Sequence, residues 1–408
     1  MTAREYPVFT VTPKAERSLR AGHPWVYGEE VTAVEGAYQN GDMVDVVSNK
    51  GRYLGTGWVN DHSKIRVRII SRNANDTFDE AFFRRRVCYA LNYRKTVMGP
   101  VDYRCCRLIF GEADQFPGLT VDRFENILVT QVLSLGMERR KDWVYRALVE
   151  LLREDGEQID AIYERNDVAI RTLEGLEQGK GFYQMEGLKT DLSGHVTITE
   201  NRIKYDVDYM EGQKTGFFLD QKYNRQAAAK LARGRRVLDC FTHTGAFALN
   251  AAAAGAEHVT AVDVSAFALE LAAENGKRNG LTNLDYKCAD VFDLLTEMAK
   301  EKKCDYDYII LDPPAFTKSR ATAKNAYHGY KEINRKAMRL LHRGGYLATC
   351  SCSHFMTDEM FRKMLQEAAL DAGVTLRQIE ARQQAPDHPI LPEVPETDYL
   401  KFYLLQVV

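Results

Sequence analysis

Hydrophobic and polar positions alternate with two different periods along the chain, and the changes of period divide it into three regions. In residues 1–73 the period is two. Met43-Val44-Asp45-Val46-Val47-Ser48 reads as a strand, Asn49-Lys50-Gly51 supplies turn chemistry, and residues 64–70 alternate basic and apolar side chains as a half-buried strand does. Gly55 and Gly57, inside a second strand pattern over 52–60, predict a bulge or the close approach of another backbone. Residues 74–200 mix the periods. A helix is expected over 76–98, with Phe83, Val87 and Leu91 four residues apart, and a second over 139–153. Strands are expected over 107–111, 119–124, 127–133 and 161–165, with Pro117-Gly118 and Glu125-Asn126 as turns. Over 201–408 apolar strand runs alternate with helical stretches, which predicts a parallel sheet covered on both faces. The expected domains are thus an all-β unit over 1–73, a small central α+β unit over 74–200 and an α/β unit over 201–408.

Composition narrows the class. At 45% hydrophobic and 27% charged residues, the 408-residue chain is ordinary globular protein. Eight cysteines are too sparse for a disulfide scaffold, residues 1–12 contain no apolar leader segment, and the low-charge stretch 244–256 is too short to span a bilayer. The expectation is a soluble cytoplasmic protein with reduced thiols and no membrane partner. A net charge of −2 argues against a generic polyanion binder, yet residues 64–107 hold eleven Lys/Arg against four Asp/Glu. This local excess suits a nucleic-acid contact, although charge alone favours the plainer reading of a solvated surface.

Candidate chemistry concentrates in the α/β region. The strand run 236–241 leads through Thr242-His243-Thr244-Gly245 into a helix former over 246–254, an arrangement that brings backbone N–H groups to a ligand at the strand's carboxyl end. With one glycine in that turn the dinucleotide fingerprint is missing. Asp239 and Asp263 fall at two successive strand ends, and Asp290 follows a third strand over 284–288. Each acid alone reads as a helix N-cap. Together they would repel a phosphate and suit a cationic, phosphate-free nucleoside such as S-adenosylmethionine. A fourth strand runs into Asp312-Pro313-Pro314-Ala315-Phe316, where two prolines stop the ladder and fix an extended loop. A fifth, 346–353, carries Cys350 and Cys352 on one face.

These motifs resemble known families. His23-Pro24-Trp25-Val26-Tyr27, the Gly41-Asp42-Met43-Val44 start and Gly55-Thr56-Gly57-Trp58-Val59-Asn60 resemble a PUA domain, an RNA-binding β-barrel. The run from Val237 to Phe247, Ala261-Val262-Asp263-Val264-Ser265, Ala289-Asp290-Val291-Phe292 and Leu311-Asp312-Pro313-Pro314 resemble the class I S-adenosylmethionine-dependent methyltransferases, whose domain is Rossmann-like. Residues 212–221 resemble an extra segment that folds over the methionine moiety in such enzymes, and 111–119 and 387–392 extend the likeness over nearly the whole chain. The whole is similar to the PUA-containing ribosomal RNA large-subunit methyltransferase I group. That resemblance implies 5-methylcytosine formation in large-subunit rRNA, with S-adenosylmethionine as cofactor and a homodimer as a further assembly to test. It implies cofactor contacts by Phe217, Gln221, Asp239, Phe241, Thr244, Gly245, Asp263, Val264, Asp290, Val291 and Asp312.

Cytosine C5 is a poor nucleophile, and a thiolate adding to C6 makes it enamine-like. Cys352 matches the group's Ser-Cys-Ser position and is the expected nucleophile, with Asp312 as its catalytic partner at N3. Cys88, Cys105, Cys106, Cys240, Cys288, Cys304 and Cys350 read as packing cysteines. Cys350, Cys352 and His354 lie too close together, without a second ligand pair, to read as a zinc site, and no metal is expected. Many RNA cytosine-C5 methyltransferases carry a second cysteine in the Asp-Pro-Pro-type loop; this chain has none there. Two competing readings are methylation of a guanine or adenine nitrogen, which needs no thiol, and a non-catalytic RNA-binding assembly factor.

Overall fold

The computed structural model describes residues 5–301, 305–317 and 319–408. The chain forms two compact units. The first comprises residues up to Ile198 with Val207–Leu219 and Pro386–Thr397; the second comprises Thr199–Asp206, Asp220–Ala385 and Asp398–Val408. Residues 386–397 therefore pack with the first unit although they lie within the 201–408 range.

The first unit opens on six strands, β1 (Val8–Val11), β2 (Trp25–Tyr27), β3 (Val31–Glu35), β4 (Met43–Ser48), β5 (Tyr53–Val59) and β6 (Ile65–Ser71), in the order β2-β6-β5-β4-β1-β3. Their inner faces bury Phe9, Val11, Val26, Val46 and Val67. Both glycine expectations are realised. Register shifts fall beside Gly55 and Gly57, and a Cβ on Gly57 would lie 2.0 Å from the Arg68 carbonyl oxygen. Helix α1 (Pro13–Arg20) corrects the all-β expectation: Thr12 caps it by accepting from the Ala15 amide, Pro13 fits its first turn, and it buries Ala15 and Leu19. Its short apolar stripe is too brief to stand out by periodicity.

The second sheet of this unit comprises β7 (Cys105–Phe110), β8 (Leu119–Phe124), β9 (Ile127–Val132), β10 (Ala161–Asn166) and β11 (Gly179–Phe182). Helix α2 (Glu80–Val97) starts four residues later than the pattern suggests, because Asp79 caps it while Asp76 instead accepts from the Ser71 hydroxyl. After the single turn α3 (Leu135–Glu138), α4 (Lys141–Glu154) links β9 to its parallel neighbour β10 and packs on α2, where Phe83 meets Trp143 at 5.8 Å. A hairpin of β12 (His195–Glu200) and β13 (Ile203–Asp208) follows.

The second unit is a seven-stranded sheet. Its strands are β14 (Arg236–Cys240), β15 (His258–Asp263), β16 (Leu284–Cys288), β17 (Tyr308–Leu311), β18 (Tyr346–Ser351), β19 (Leu376–Arg382) and β20 (Lys401–Val407), ordered β16-β15-β14-β17-β18-β20-β19. The first five are parallel, and β20 runs antiparallel to both β18 and β19. This corrects the all-parallel expectation, and the reason is local: only a 3-10 turn, Pro395–Thr397, and no α-helix separates β19 from β20, and a parallel return needs a crossover. Alternate residues of each strand enter opposite cores. Leu238, Ile309 and Leu347 pack with Ile333, Met338 and Phe361 of α9 (Ala323–Leu340) and α10 (Asp358–Ala372), after α8 (Val291–Glu301). Val237, Tyr308 and Ala348 pack with Ala227, Phe247 and Ala251 of α5 (Lys222–Ala229) and α6 (Ala246–Ala253), while α7 (Ala266–Arg278) joins β15 to β16. Parallel strands with helices on both faces put five carboxyl ends along one edge, and Asp239, Asp263, Asp290, Asp312 and Cys352 lie at or just past them.

Candidate functional site

Asp239 is the fourth residue of β14 and is fully buried. One carboxylate oxygen accepts from the Thr242 hydroxyl at 2.5 Å and the Ala248 amide at 2.9 Å; the other, Oδ1, is buried with no hydrogen-bond partner among the described residues. Burial pushes its carboxyl up to about 7, and repulsion from Asp312 and Asp263 adds to the rise. A buried acceptor without a donor is costly, so the geometry fits a ligand that brings a charged donor to Oδ1.

The turn after β14 carries three left-handed residues in alternation: Phe241 at φ 64°, His243 at 52° and Gly245 at 84°. For the two larger side chains this is stored strain of the kind found at ligand clamps. At Gly245 an added Cβ would also approach the Ala272 methyl at 3.0 Å. Phe241 packs against the core, and Thr244 lies half-buried with its hydroxyl 3.4 Å from His243 Nδ1. Asp263 ends β15. Its two oxygens accept from the His243 amide at 2.9 Å and the Ser265 amide at 3.0 Å, which ties two loops together and leaves lone pairs for further donors. Next to it Val264 is 72% exposed, unusual for so apolar a residue and suited to an aromatic ring.

Two of the candidates fit less directly. Asp290 is exposed and accepts from the Asp293 amide at 3.1 Å, the helix-capping arrangement expected of any acid at the head of α8. The Val291 side chain is buried in the core, so only its backbone can reach a ligand. Phe217 is buried within the first unit, in a segment where Gly216 at φ 123° and Gly212 both pass close to the Asp208 carbonyl.

Asp312 follows β17, with β18 hydrogen-bonded beside it. Gln221 donates to its Oδ1 at 3.0 Å and is itself held by Asn224 at 2.7 Å. Burial, with Asp220 nearby, pushes the Asp312 carboxyl up to about 6, against the opposing pull of Arg225. The Cys350 thiol reaches the same acid and Gln221, a contact that the packing role assigned to Cys350 did not include. Burial and Asp312 hold that thiol well above its ordinary value, which keeps it protonated and inert.

Cys352 stands one residue past β18 and is half-buried. Its neighbours are fixed: the Ser353 hydroxyl meets Tyr330 at 3.0 Å and the Ser353 carbonyl accepts from Lys401 at 2.7 Å. Among the other cysteines expected to be packing residues, Cys105, Cys106 and Cys240 are buried, Cys88 is half-buried and Cys288 is exposed; Cys304 lies outside the described residues. Among the described residues, no group of three or more His, Cys, Asp or Glu could hold a metal ion, and no helix is long and apolar enough to cross a membrane.

The basic segment is different from its expectation. Arg68 pairs with Glu112 and Glu174, Arg94 with Asp114, Arg107 with Asp122, and Arg86 donates to the Gln115 carbonyl. Arg66, Arg72, Arg84, Arg85, Lys95 and Arg104 likewise have partners inside the unit. Only the exposed Lys64 side chain has none among the described residues. Most of the segment's cations are thus held by acids or carbonyls of the same unit, and Lys64 stands apart from them.

Comparison with known proteins agrees with this architecture. Residues 9–72 match a PUA-like domain family and residues 183–405 an S-adenosylmethionine-dependent methyltransferase family. The chain is 40% identical over 401 residues to ribosomal RNA large subunit methyltransferase I of Pseudoalteromonas atlantica, covering 98% of this chain and 99% of that protein. With the protein of the same name from Klebsiella pneumoniae it shares 38% over 410 residues, 100% of both. Among solved structures, a protein from Streptococcus mutans assigned to the S-adenosylmethionine-dependent methyltransferases superposes with a TM-score of 0.81 at 22% identity, over 98% of this chain and 100% of that one. Another neighbour, solved in complex with SAH, gives 0.82 at 21%, with the same coverage.

Proposed function

This chain belongs to the ribosomal RNA large subunit methyltransferase I family of S-adenosylmethionine-dependent methyltransferases, and we propose that it methylates C5 of a cytosine in large-subunit rRNA through a covalent adduct on Cys352. The observation that carries this reading is the placement of a half-buried thiol, Cys352, just past the carboxyl end of β18, beside the strand that Asp312 follows. A base-nitrogen methyltransferase would need no thiol there.

Asp239 Oδ1 would accept from the amino group of S-adenosylmethionine, Asp263 from its ribose hydroxyls, and Val264 would lie against the adenine, with Asp290 and the Val291 amide near the adenine edge. Phe241, Thr244 and Gly245 would shape the turn beneath it, and Gln221 would lie at the methionine end. S-adenosylmethionine supplies an electrophilic methyl group on a sulfonium. The Cys352 thiolate adds to C6 and the electron pair moves to C5, while Asp312 stabilises the protonated N3. Burial brings the Asp312 carboxyl to about 6, close to the range in which a group both gives and receives a proton. After C5 is methylated, loss of its proton and expulsion of the thiolate restore the aromatic ring.

The test is Cys352→Ala assayed on rRNA. Methyl transfer should fall by about three orders of magnitude or more, with cofactor affinity unchanged to within about 1 kcal/mol, because the thiolate acts on the base. Near-normal methylation by this variant would replace the C5 reading with the base-nitrogen one.

A further inference from the structure

Lys401 is the first residue of β20 and is 4% exposed. A buried lysine needs partners for three N–H donors and its charge. Its Nζ donates to the Ser353 carbonyl at 2.7 Å and the Tyr399 carbonyl at 2.8 Å. Among the described residues it makes no ion pair with a carboxylate. Asp398 is the largest charge acting on it, one carboxylate oxygen accepting from Gln383 at 3.2 Å and the other buried with no hydrogen-bond partner among the described residues, while Asp358 accepts from the Tyr403 hydroxyl.

The strand register explains why the ammonium is there. Ser351 of β18 lies opposite Lys401, so the side chain reaches along the segment that carries Cys352 and bonds to the residue immediately after it. Cys352 is among the groups whose charge acts on Lys401. Burial brings the ammonium down to about 8, and near neutral pH it remains mostly charged. A cation whose charge acts on a thiol favours the thiolate, the form that attacks C6.

We propose that Lys401 is a positioning residue for the methyl-transfer site, fixing the loop after β18 through the Ser353 carbonyl and favouring the Cys352 thiolate. The proposal rests on the reading that Cys352 is the nucleophile, and its test is separable from that reading because it needs no RNA. Full-length protein is treated with iodoacetamide across roughly pH 6–9, and modification is followed peptide by peptide. In the unaltered protein Cys352 should react at lower pH than the more exposed Cys288. Lys401→Met should slow Cys352 alkylation at neutral pH by about tenfold, the effect of one unit in thiol acidity. Lys401→Arg should restore it to within about threefold, with Cys288 unmoved in both variants.

A Cys352 profile that coincides with that of Cys288 in the unaltered protein would overturn the proposal even if Lys401→Met failed to fold. So would a folded Lys401→Met variant with unchanged Cys352 alkylation. Methylation that persists in Cys352→Ala would remove the cytosine-C5 reading and leave the alkylation result standing.

Discussion

The arginines of the first unit and the acids of the second make an instructive pair. Both groups are charged, both are buried or partly buried, and both look functional in sequence. Arg94 is fully buried and donates to Asp114 at 2.7 Å and to the Arg107 and Asp387 carbonyls at 2.8 and 2.9 Å. Asp387 in turn accepts from the Arg107 amide at 2.8 Å. Two of the motifs that carry the family likeness, 111–119 and 387–392, thus meet on one guanidinium, and every strong donor there has an acceptor. Asp239 is the opposite case: equally buried, it keeps one oxygen without a donor, and its neighbours at the strand ends are acids. Burial and charge do not separate a structural network from a ligand site. Asp239 differs in the combination: an unmet carboxylate oxygen set among further acids at neighbouring strand ends.

The largest effect should come from breaking the closed network. Arg94→Ala leaves Asp114 buried without its partner and should lower unfolding free energy by about 3–5 kcal/mol, read by urea denaturation. Cofactor affinity of the folded fraction should stay near that of the unaltered protein. A loss below about 1 kcal/mol would mean that water replaces the guanidinium and that the network is not closed.

Asp239→Asn should do the reverse. It should weaken S-adenosylmethionine binding by about 1.5–3 kcal/mol, the worth of a hydrogen bond to a charged group, in isothermal titration. Its effect on stability should depend on pH. The Asp239 carboxyl is raised to about 7 in the folded protein, so between its ordinary value and about 7 the folded state binds more protons than the unfolded one. Stability of the cofactor-free protein should therefore fall through this window as pH rises, and the asparagine variant should gain on it steadily up to about pH 7. Parallel pH profiles for the two proteins would show that Oδ1 is not in the unmet state described.

Asp263→Ala should weaken cofactor binding by about 1–3 kcal/mol. It also removes the acceptor for two loop amides, so a rise in the mobility of residues 242–245, followed by hydrogen exchange, should accompany the loss. The smallest effect tests the basic segment. Lys64→Gln should reduce the slope of log affinity for RNA against log salt by about one if Lys64 contacts a phosphate. Neutralising the internally paired Arg84 should leave that slope unchanged, and equal slopes for both variants would restore the view of a continuous basic strip.

Much of the fold was legible because its signals are local. Strand runs such as residues 308–311 are apolar throughout, and Pro313-Pro314 marks the loop that follows. Asp239, Asp263 and Asp312 were legible because each ends such a run. Features set by distant partners were not. The arginines of 64–107 read as free cations because Glu112, Asp114, Asp122 and Glu174 lie elsewhere in the chain. Cys350 read as mere packing because Gln221 approaches it from a segment about 130 residues away. Lys401 gave only a faint signal, one charge at the head of the apolar run Phe402-Tyr403-Leu404-Leu405, and its importance depends on the antiparallel register with β18.

The proposed reaction turns on a covalent bond between Cys352 and the cytosine it prepares for methylation. The most direct measurement is to incubate the protein and S-adenosylmethionine with rRNA fragments containing 5-fluorocytosine and to analyse the product by denaturing gel and peptide mass spectrometry. Fluorine cannot leave C5 as a cation, so elimination stalls and the adduct accumulates. The expected product is a protein–RNA species linked through Cys352, dependent on S-adenosylmethionine and missing in Cys352→Ala. Methylation of ordinary RNA with no adduct on the fluorinated RNA, or an adduct on another cysteine, would contradict it.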